Sequence, residues 1–470
     1  MFYSCGLFPR LGIIFSIAAM GGLCLSACTA LKSRPHRNPE ELTPEESRFA
    51  DALAHYCQGL VNRELLGEDY PATLRHAKPP PSLDPDNSLL HSLVGLTACR
   101  QKEPNTELAI EHFKRAIELD PENPALYVSL ARLYFYMDMD ATALQTLQTG
   151  MRKSESHPVI KAMAYGYARL FISRDEHNRA VPCVKFLAEH SSKKARYNHL
   201  LAQLYLSLED SRNAAKYYRL AIDSENPIAD SYMDLASIYA EKHPSKAEKV
   251  LLKARNIFPE NTEVLLLLAR FYAVRNETGQ ALETYEQLRR TVENMEGRTL
   301  SADVYLEYGA TCDRAGRRDL AEKIFKECIG LYPRAHSVLN YLAYMWAEDG
   351  VNLAEANRLV LRALELKPDD GAYIDTLGWI FYKQKKFSEA LVMILKAHTL
   401  MGGDPVILDH LGDVLNALGR TEEAVERWKE SFRLDPDNNS VAEKLEKKGV
   451  DLGALTSENA SSKETKSGDQ

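Results

Sequence analysis

Eight cysteines and thirteen histidines are the side chains of this 470-residue chain that could ligate a metal, attack a substrate or carry a proton. No two histidines lie three or four residues apart, the spacing that places two imidazoles on one helix face. The sequence has no glycine-rich phosphate loop, no dinucleotide glycine fingerprint and no serine on a nucleophile elbow. The expectation is a non-enzymatic protein with no metal and no cofactor. What remains is one thiol in a distinctive setting, Cys28, and surface side chains, arginines and aromatics among them. Tyrosine, tryptophan and arginine concentrate binding energy in protein interfaces, so the chemistry these residues offer is recognition.

Cys28 closes a pattern of its own. Arg10 is the one charge among the first ten residues, and residues 11–25 are uncharged and mostly apolar. That run is too short for a comfortable membrane span of about 20 residues and suits the core of a signal peptide. It ends in Leu25-Ser26-Ala27-Cys28, which resembles the lipobox of bacterial lipoproteins. The resemblance implies removal of residues 1–27 as a lipoprotein signal peptide, a diacylglycerol thioether on Cys28 and an acylated new amino terminus. Several acyl chains anchor a protein far more firmly than one. The expected location is the bacterial cell envelope, with the chain lipid-anchored to a membrane it does not span. Thr29 is not the aspartate that retains such lipoproteins at the inner membrane, so the outer membrane, facing the periplasm, is expected. An ordinary secretory peptide cleaved after Ala27 and an uncleaved helical anchor are the competing readings. Residues 28–44 carry Pro35, Pro39 and Pro44 without periodic apolar residues and read as a flexible tether.

The rest of the chain is compositionally ordinary, with 45% hydrophobic and 26% charged residues and a mean hydropathy of −0.34, enough for a large core. The 24 glycines and 21 prolines are fewer than average composition supplies, which favours long helices over a turn-rich β architecture. Net charge is −8, so no overall field draws nucleic acid, and no nucleic-acid partner is expected. Cys57, Cys99, Cys183, Cys312 and Cys328 are scattered and odd in number, which implies no disulfide framework.

Length alone suggests about three compact domains. A self-similarity at an offset of about 34 residues replaces that count. AYIDTLGWIFYKQKKFSEALVMILKA and VILDHLGDVLNALGRTEEAVERWKES share an apolar pair with Gly, a large residue three on, a turn and a second apolar-periodic stretch. The pattern resembles the tetratricopeptide repeat, with its helix A and helix B. In that register units begin near Leu90, Pro124, Lys161, Ala195, Ala229, Thr262, Ala302, His336, Gly371 and Pro405. Ala131, Ala168, Gly309, Gly378 and Gly412 are small positions on helix A, and Ala143, Ala214, Ala321 and Ala424 on helix B. Antiparallel helices approach closely only where side chains are small. Pro121, Pro259, Pro333, Pro368 and Pro436 stop helix B. The implied fold is all-α, a tetratricopeptide-repeat superhelical solenoid of about ten to eleven helix-turn-helix repeats, each stabilised by its neighbours.

Departures from the period divide the chain. Residues 45–89 read as a degenerate amino-terminal capping repeat, 90–290 and 302–439 as two parts of the array, and 291–301 as a long connection where the array bends or divides. A smaller excess lies around Met151 to Pro158. Residues 440–454 read as a capping helix and 455–470 as a disordered tail.

In this family the concave groove is lined by helix A. Carried over residue by residue, it presents Val128, Arg132, Phe135, Tyr136, Tyr165 and Arg169 early, then Arg270 and Val274, then Tyr344, Trp379 and Tyr382 beside Asp375, Asp409 and Asp413. The groove is thus expected to pass from basic-aromatic to acidic-aromatic. No unit holds the Lys and Asn pair of the chaperone-type carboxylate clamp, so chaperone tails are not expected ligands. The same resemblance places Cys312 and Cys328 on facing positions of one unit. Two small buried thiols are the favoured reading there, and a disulfide staple or redox switch the other.

From about His336 to Pro436, wording such as LNYLAYMWAEDGVNLAEANRLVLRALELKPDDGAYIDTLGW is similar to the repeats of outer-membrane lipoprotein adaptors that bring substrates to carboxy-terminal processing proteases. The resemblance implies a membrane-anchored scaffold or adaptor binding other proteins or peptides, an envelope protease among them. The alternative is a structural subunit of an outer-membrane assembly, pilus or polysaccharide-secretion complex.

Overall fold

Asparagine and aspartate fix where the first helix of many repeats begins. Asn123, Asn261, Asp370, Asp404 and Asn438 each accept a backbone N–H from the first turn that follows. Such a cap satisfies an orphan donor and is worth about 1 kcal/mol. The turn from helix A to helix B has its own device. Asp138, Asp175, Glu209, Asn276, Gly316, Lys385 and Gly419 adopt positive φ, and the next N–H reaches back across the helix end. Met139 N bonds Tyr134 O at 2.9 Å, Glu277 N bonds Tyr272 O at 2.9 Å and Arg420 N bonds Leu415 O at 2.9 Å, closing each helix by a left-handed C-terminal motif.

The computed structural model describes residues 85–99, 104–153, 158–453 and 455. Cys28, the expected signal peptide and tether, nearly all of the amino-terminal cap and the carboxy-terminal tail after residue 455 lie outside the described residues. Those described form two compact units, divided between Ile228 and Ala229. The first holds α1 (Ser88–Cys99), α2 (Thr106–Leu119), α3 (Pro124–Tyr136), α4 (Asp140–Lys153), α5 (Pro158–Ser173), α6 (His177–His190), α7 (Lys194–Ser207) and α8 (Ser211–Ile222). The second holds α9 (Ala229–Ala240), α10 (Pro244–Ile257), α11 (Thr262–Val274), α12 (Thr278–Glu293), α13 (Ala302–Arg314), α14 (Arg318–Leu331), α15 (His336–Asp349), α16 (Leu353–Leu366), α17 (Gly371–Lys383), α18 (Phe387–Met401), α19 (Pro405–Ala417), α20 (Thr421–Leu434) and α21 (Asn439–Lys447). Odd-numbered helices up to α19 are helix A and even-numbered ones helix B, giving ten pairs, and α21 covers the last of them. The described residues contain no strand, and none of their helices is long and apolar enough to cross a membrane.

In four of the pairs a glycine of helix A receives a large side chain of helix B. A Cβ on Gly378 would lie 2.6 Å from Ile394 Cγ1, and on Gly95 it would lie 2.9 Å from Phe113 Cε1. On Gly309 and Gly412 it would overlap the rings of Phe325 and Trp428. Phe113, Phe325 and Trp428 are buried in consequence, each contributing about 1.5–3 kcal/mol of apolar transfer.

Helices begin at Pro124, Ala229, Thr262, Ala302, His336, Gly371 and Pro405, where the repeat register places them. Helix α5 begins at Pro158, three residues before the expected Lys161, so part of the excess near Met151–Pro158 lengthens a helix A to 16 residues. The stretch 291–301 does not divide the array: α12 runs on to Glu293, and Val292, Leu300 and Val304 belong to one core spanning the connection. The capping helix ends at Lys447, seven residues short of the expected 454, and buries Val441 and Leu445.

Candidate interaction grooves

In the first unit, helices A place a basic-aromatic row on their open side. Tyr136 is 69% exposed and Tyr165 45% exposed, and Arg132, Arg169 and Arg196 are exposed on α3, α5 and α7. The Arg169 guanidinium lies 5.9 Å from the Tyr165 ring centroid, within cation–π range. Burial raises the Tyr197 hydroxyl above its ordinary pKa, the nearby Tyr165 adds to this, and Arg196 opposes it. Helices α5 and α7 therefore bring Tyr165, Tyr197 and Arg196 together. The acids of the neighbouring turns are engaged elsewhere, since Arg179 binds Asp140 at 2.6 Å, Asp138 at 2.9 Å and Glu176 at 2.9 Å. Val128 is half-buried. Phe135 departs from the expected groove lining. It is 3% exposed, because its ring stacks on Tyr167 of the next helix A with centroids 4.0 Å apart. It fills space between helices and offers no surface.

In the second unit the expected acidic-aromatic stretch is internally neutralised. Asp375 Oδ2 accepts from His410 Nδ1 at 2.8 Å, with both side chains buried. Lys444 of α21 donates to Asp409 at 2.6 Å and to Asp413 at 2.9 Å. Asp413 also accepts from Trp428 Nε1 at 3.1 Å. Burial raises the Asp413 pKa against the opposing pull of Lys444. Trp379 is 5% exposed, with its ring stacked between His410 at 4.0 Å and Tyr382 at 4.6 Å and its N–H donated to Glu348. Trp379 thus packs neighbouring helices A together, contrary to a groove-lining role. Tyr344 and Tyr382 keep part of their surface. Burial first, then Glu348 and Asp375, hold the Tyr344 hydroxyl protonated well above its usual range.

The open part of this unit lies around Val274, which is 86% exposed. On one side is a cleft of about 490 Å³ lined by Ala273, Leu306, Ala310, Tyr285, Tyr341 and Arg314, and on the other a cleft of about 240 Å³ against Ala236, Ala240 and Phe271. Arg270 borders both, held by a bidentate ion pair to Glu307 at 2.8 Å through each oxygen. Arg314, the last residue of α13, lines the larger cleft and was not among the residues expected from the sequence. The cleft is lined from several helices, with Ala273 of α11, Ala310 of α13 and Tyr341 of α15 among its walls, a juxtaposition no single helix displays.

Cys312 and Cys328 are buried free thiols, as is Cys183. Among the described residues no three His, Cys, Asp or Glu side chains are grouped to hold a metal ion.

Family models described as tetratricopeptide repeat match residues 102–164, and again 195–226 and 302–334. A TPR repeat-containing protein of Pseudomonas aeruginosa is 38% identical over 90 residues, covering 19% of this chain and 15% of that protein. The BBSome complex member BBS4 homolog of Drosophila melanogaster is 22% identical over 375 residues, covering 78% of this chain and 66% of that protein. The chain therefore spans less than two thirds of either relative. A tetratricopeptide repeat protein from Parabacteroides merdae matches in structure with a TM-score of 0.44 at 18% identity, over 54% of this chain and 97% of that one. The ten helix pairs form an all-helical fold of tetratricopeptide-repeat type, three segments of which match the repeat models.

Proposed function

We propose that the protein is a non-enzymatic protein–protein interaction scaffold of the bacterial cell envelope, anchored to the outer membrane through lipid on Cys28 and facing the periplasm. Partner proteins or extended peptides bind along the open faces of its helices A. The observation that carries this reading is the exposure of large side chains, Tyr136, Tyr165 and Val274, on those faces, while most neighbouring acids are tied up within the fold. The lipobox-like Leu25-Ser26-Ala27-Cys28 supports the anchor, and the wording of repeats 336–436 supports an adaptor for an envelope protease.

Affinity capture from detergent-solubilised membranes, read by mass spectrometry, tests the role. Enrichment of an envelope protease with its substrates is the expected result. Stoichiometric recovery of outer-membrane, pilus or polysaccharide-secretion subunits instead would favour a structural subunit. Metabolic labelling with a radioactive fatty acid tests the anchor: the wild-type chain should carry label and Cys28→Ala should not. Label retained in that variant would remove the lipid assignment.

A further inference from the structure

The paired clefts beside Val274 specify a ligand more narrowly than the scaffold reading on which this inference rests. Their walls are mainly apolar, built from Ala273, Leu306, Ala310, Ala236 and Ala240 with the rings of Tyr285 and Tyr341. Both ring hydroxyls are already engaged: Tyr285 donates to Glu307 at 3.3 Å and Tyr341 to Asp313 at 3.2 Å. The ion pairs of the region are likewise closed. Arg270 holds Glu307, Arg275 holds Glu277, and Arg318 holds Asp313 and Asp349.

Arg314 is the exception. Its guanidinium, exposed at the rim of the larger cleft, reaches only the carbonyl of Ala273 at 3.5 Å and the Thr311 hydroxyl at 3.3 Å. No carboxylate stands at ion-pair distance from it among the described residues. A guanidinium has five donors in a planar fork suited to a carboxylate, and these two long contacts to neutral oxygens leave most of that capacity unused. Arg270, Arg275 and Arg314 border the two clefts, against one lining carboxylate, Glu307.

The geometry points to an extended acidic peptide segment of a partner as the occupant, seating aliphatic side chains in the two clefts astride Val274 and setting an Asp or Glu carboxylate against Arg314. Two clefts sharing one wall suit side chains that project to the same side of an extended strand, which alternate residues do. Because the clefts open on both sides of Val274, the bound stretch passes over it, so an internal carboxylate meets the arginine.

The test uses the full chain in detergent micelles and three fluorescein-labelled nine-residue peptides, acetylated and amidated to remove terminal charge. All three carry leucine at the third and fifth positions and serine elsewhere, except at the first and seventh positions, which share the leucine face and hold aspartate in the first peptide, serine in the second and lysine in the third. Fluorescence anisotropy should rank the aspartate peptide tightest. Arg314→Gln should weaken it about tenfold, as loss of a charge-assisted hydrogen bond does, and leave the serine peptide unchanged. Arg314→Lys should recover part of the loss, and Val274→Asp should weaken both peptides, with circular dichroism unchanged throughout. Equal binding of aspartate and serine peptides, both weakened by Val274→Asp, would overturn the acidic preference while leaving the groove as a binding surface. Binding of none of the three, or binding indifferent to both Val274→Asp and Arg314→Gln, would overturn the cleft as a site.

Discussion

Asp375 on α17 and His410 on α19 are joined at 2.8 Å inside the second unit, and the indole of Trp379 lies flat against the imidazole at 4.0 Å. The pair links helices A of consecutive repeats. Burial alone would lower the His410 pKa, but the Asp375 charge and its hydrogen bond, with Asp409 and Glu348 adding to them, raise it above 6.5.

The pair therefore makes stability depend on pH. A histidine whose folded pKa exceeds its unfolded value contributes fully below about pH 6.5, and that contribution disappears as pH rises through the folded value. All three tryptophans, Trp346, Trp379 and Trp428, lie in α15–α20, so urea unfolding followed by tryptophan fluorescence reads this region. The wild-type midpoint should fall between pH 6 and 9. His410→Gln should remove that slope and cost about 3 kcal/mol at pH 6, because a buried carboxylate loses its charged partner. An unaltered slope in the variant would show that His410 is not its source.

Glycines should divide by what surrounds them. Gly309→Ala gains up to about 1 kcal/mol of helix propensity, yet its methyl would overlap Phe325 and should cost about 1–3 kcal/mol net. Gly166 lies within α5 with nothing within 4 Å of an added Cβ, so Gly166→Ala should stabilise by about 0.5–1 kcal/mol. Urea denaturation followed by circular dichroism measures both, and opposite signs are expected.

The buried thiols should be inert. Burial pushes Cys183 and Cys312 up to about 12 and Cys328 up to about 11, leaving almost no thiolate at pH 8. Iodoacetamide followed by peptide mass mapping should leave all three unmodified in the native protein and alkylate all three in urea. Full native labelling, or a bond between Cys312 and Cys328, would contradict the packing.

The repeat was legible because its signals are local: small residues and prolines recur at fixed spacing within each helix-turn-helix unit. Groove chemistry was less legible because it is decided between repeats. Phe135 and Tyr136 are adjacent in sequence, yet one is packed under Tyr167 and the other open to solvent. Asp409 and Asp413 look like a free acidic face until Lys444, more than thirty residues later, neutralises them. Trp379 looked like a groove anchor until His410 closed over it. Arg270, by contrast, keeps its place at the groove, but its charge is already committed to Glu307 on the next helix A.

The central claim is that partners bind along helix A, and Arg132→Ala combined with Tyr165→Ala addresses it directly. Both side chains are exposed and neither belongs to the buried core of the first unit, so helicity and urea midpoint should stay within about 0.5 kcal/mol of wild type. Capture of the partner from detergent-solubilised membranes, quantified against the wild-type chain, should fall about tenfold or more, the expected loss for two interface anchors. Undiminished capture by a folded double variant would contradict binding along this face.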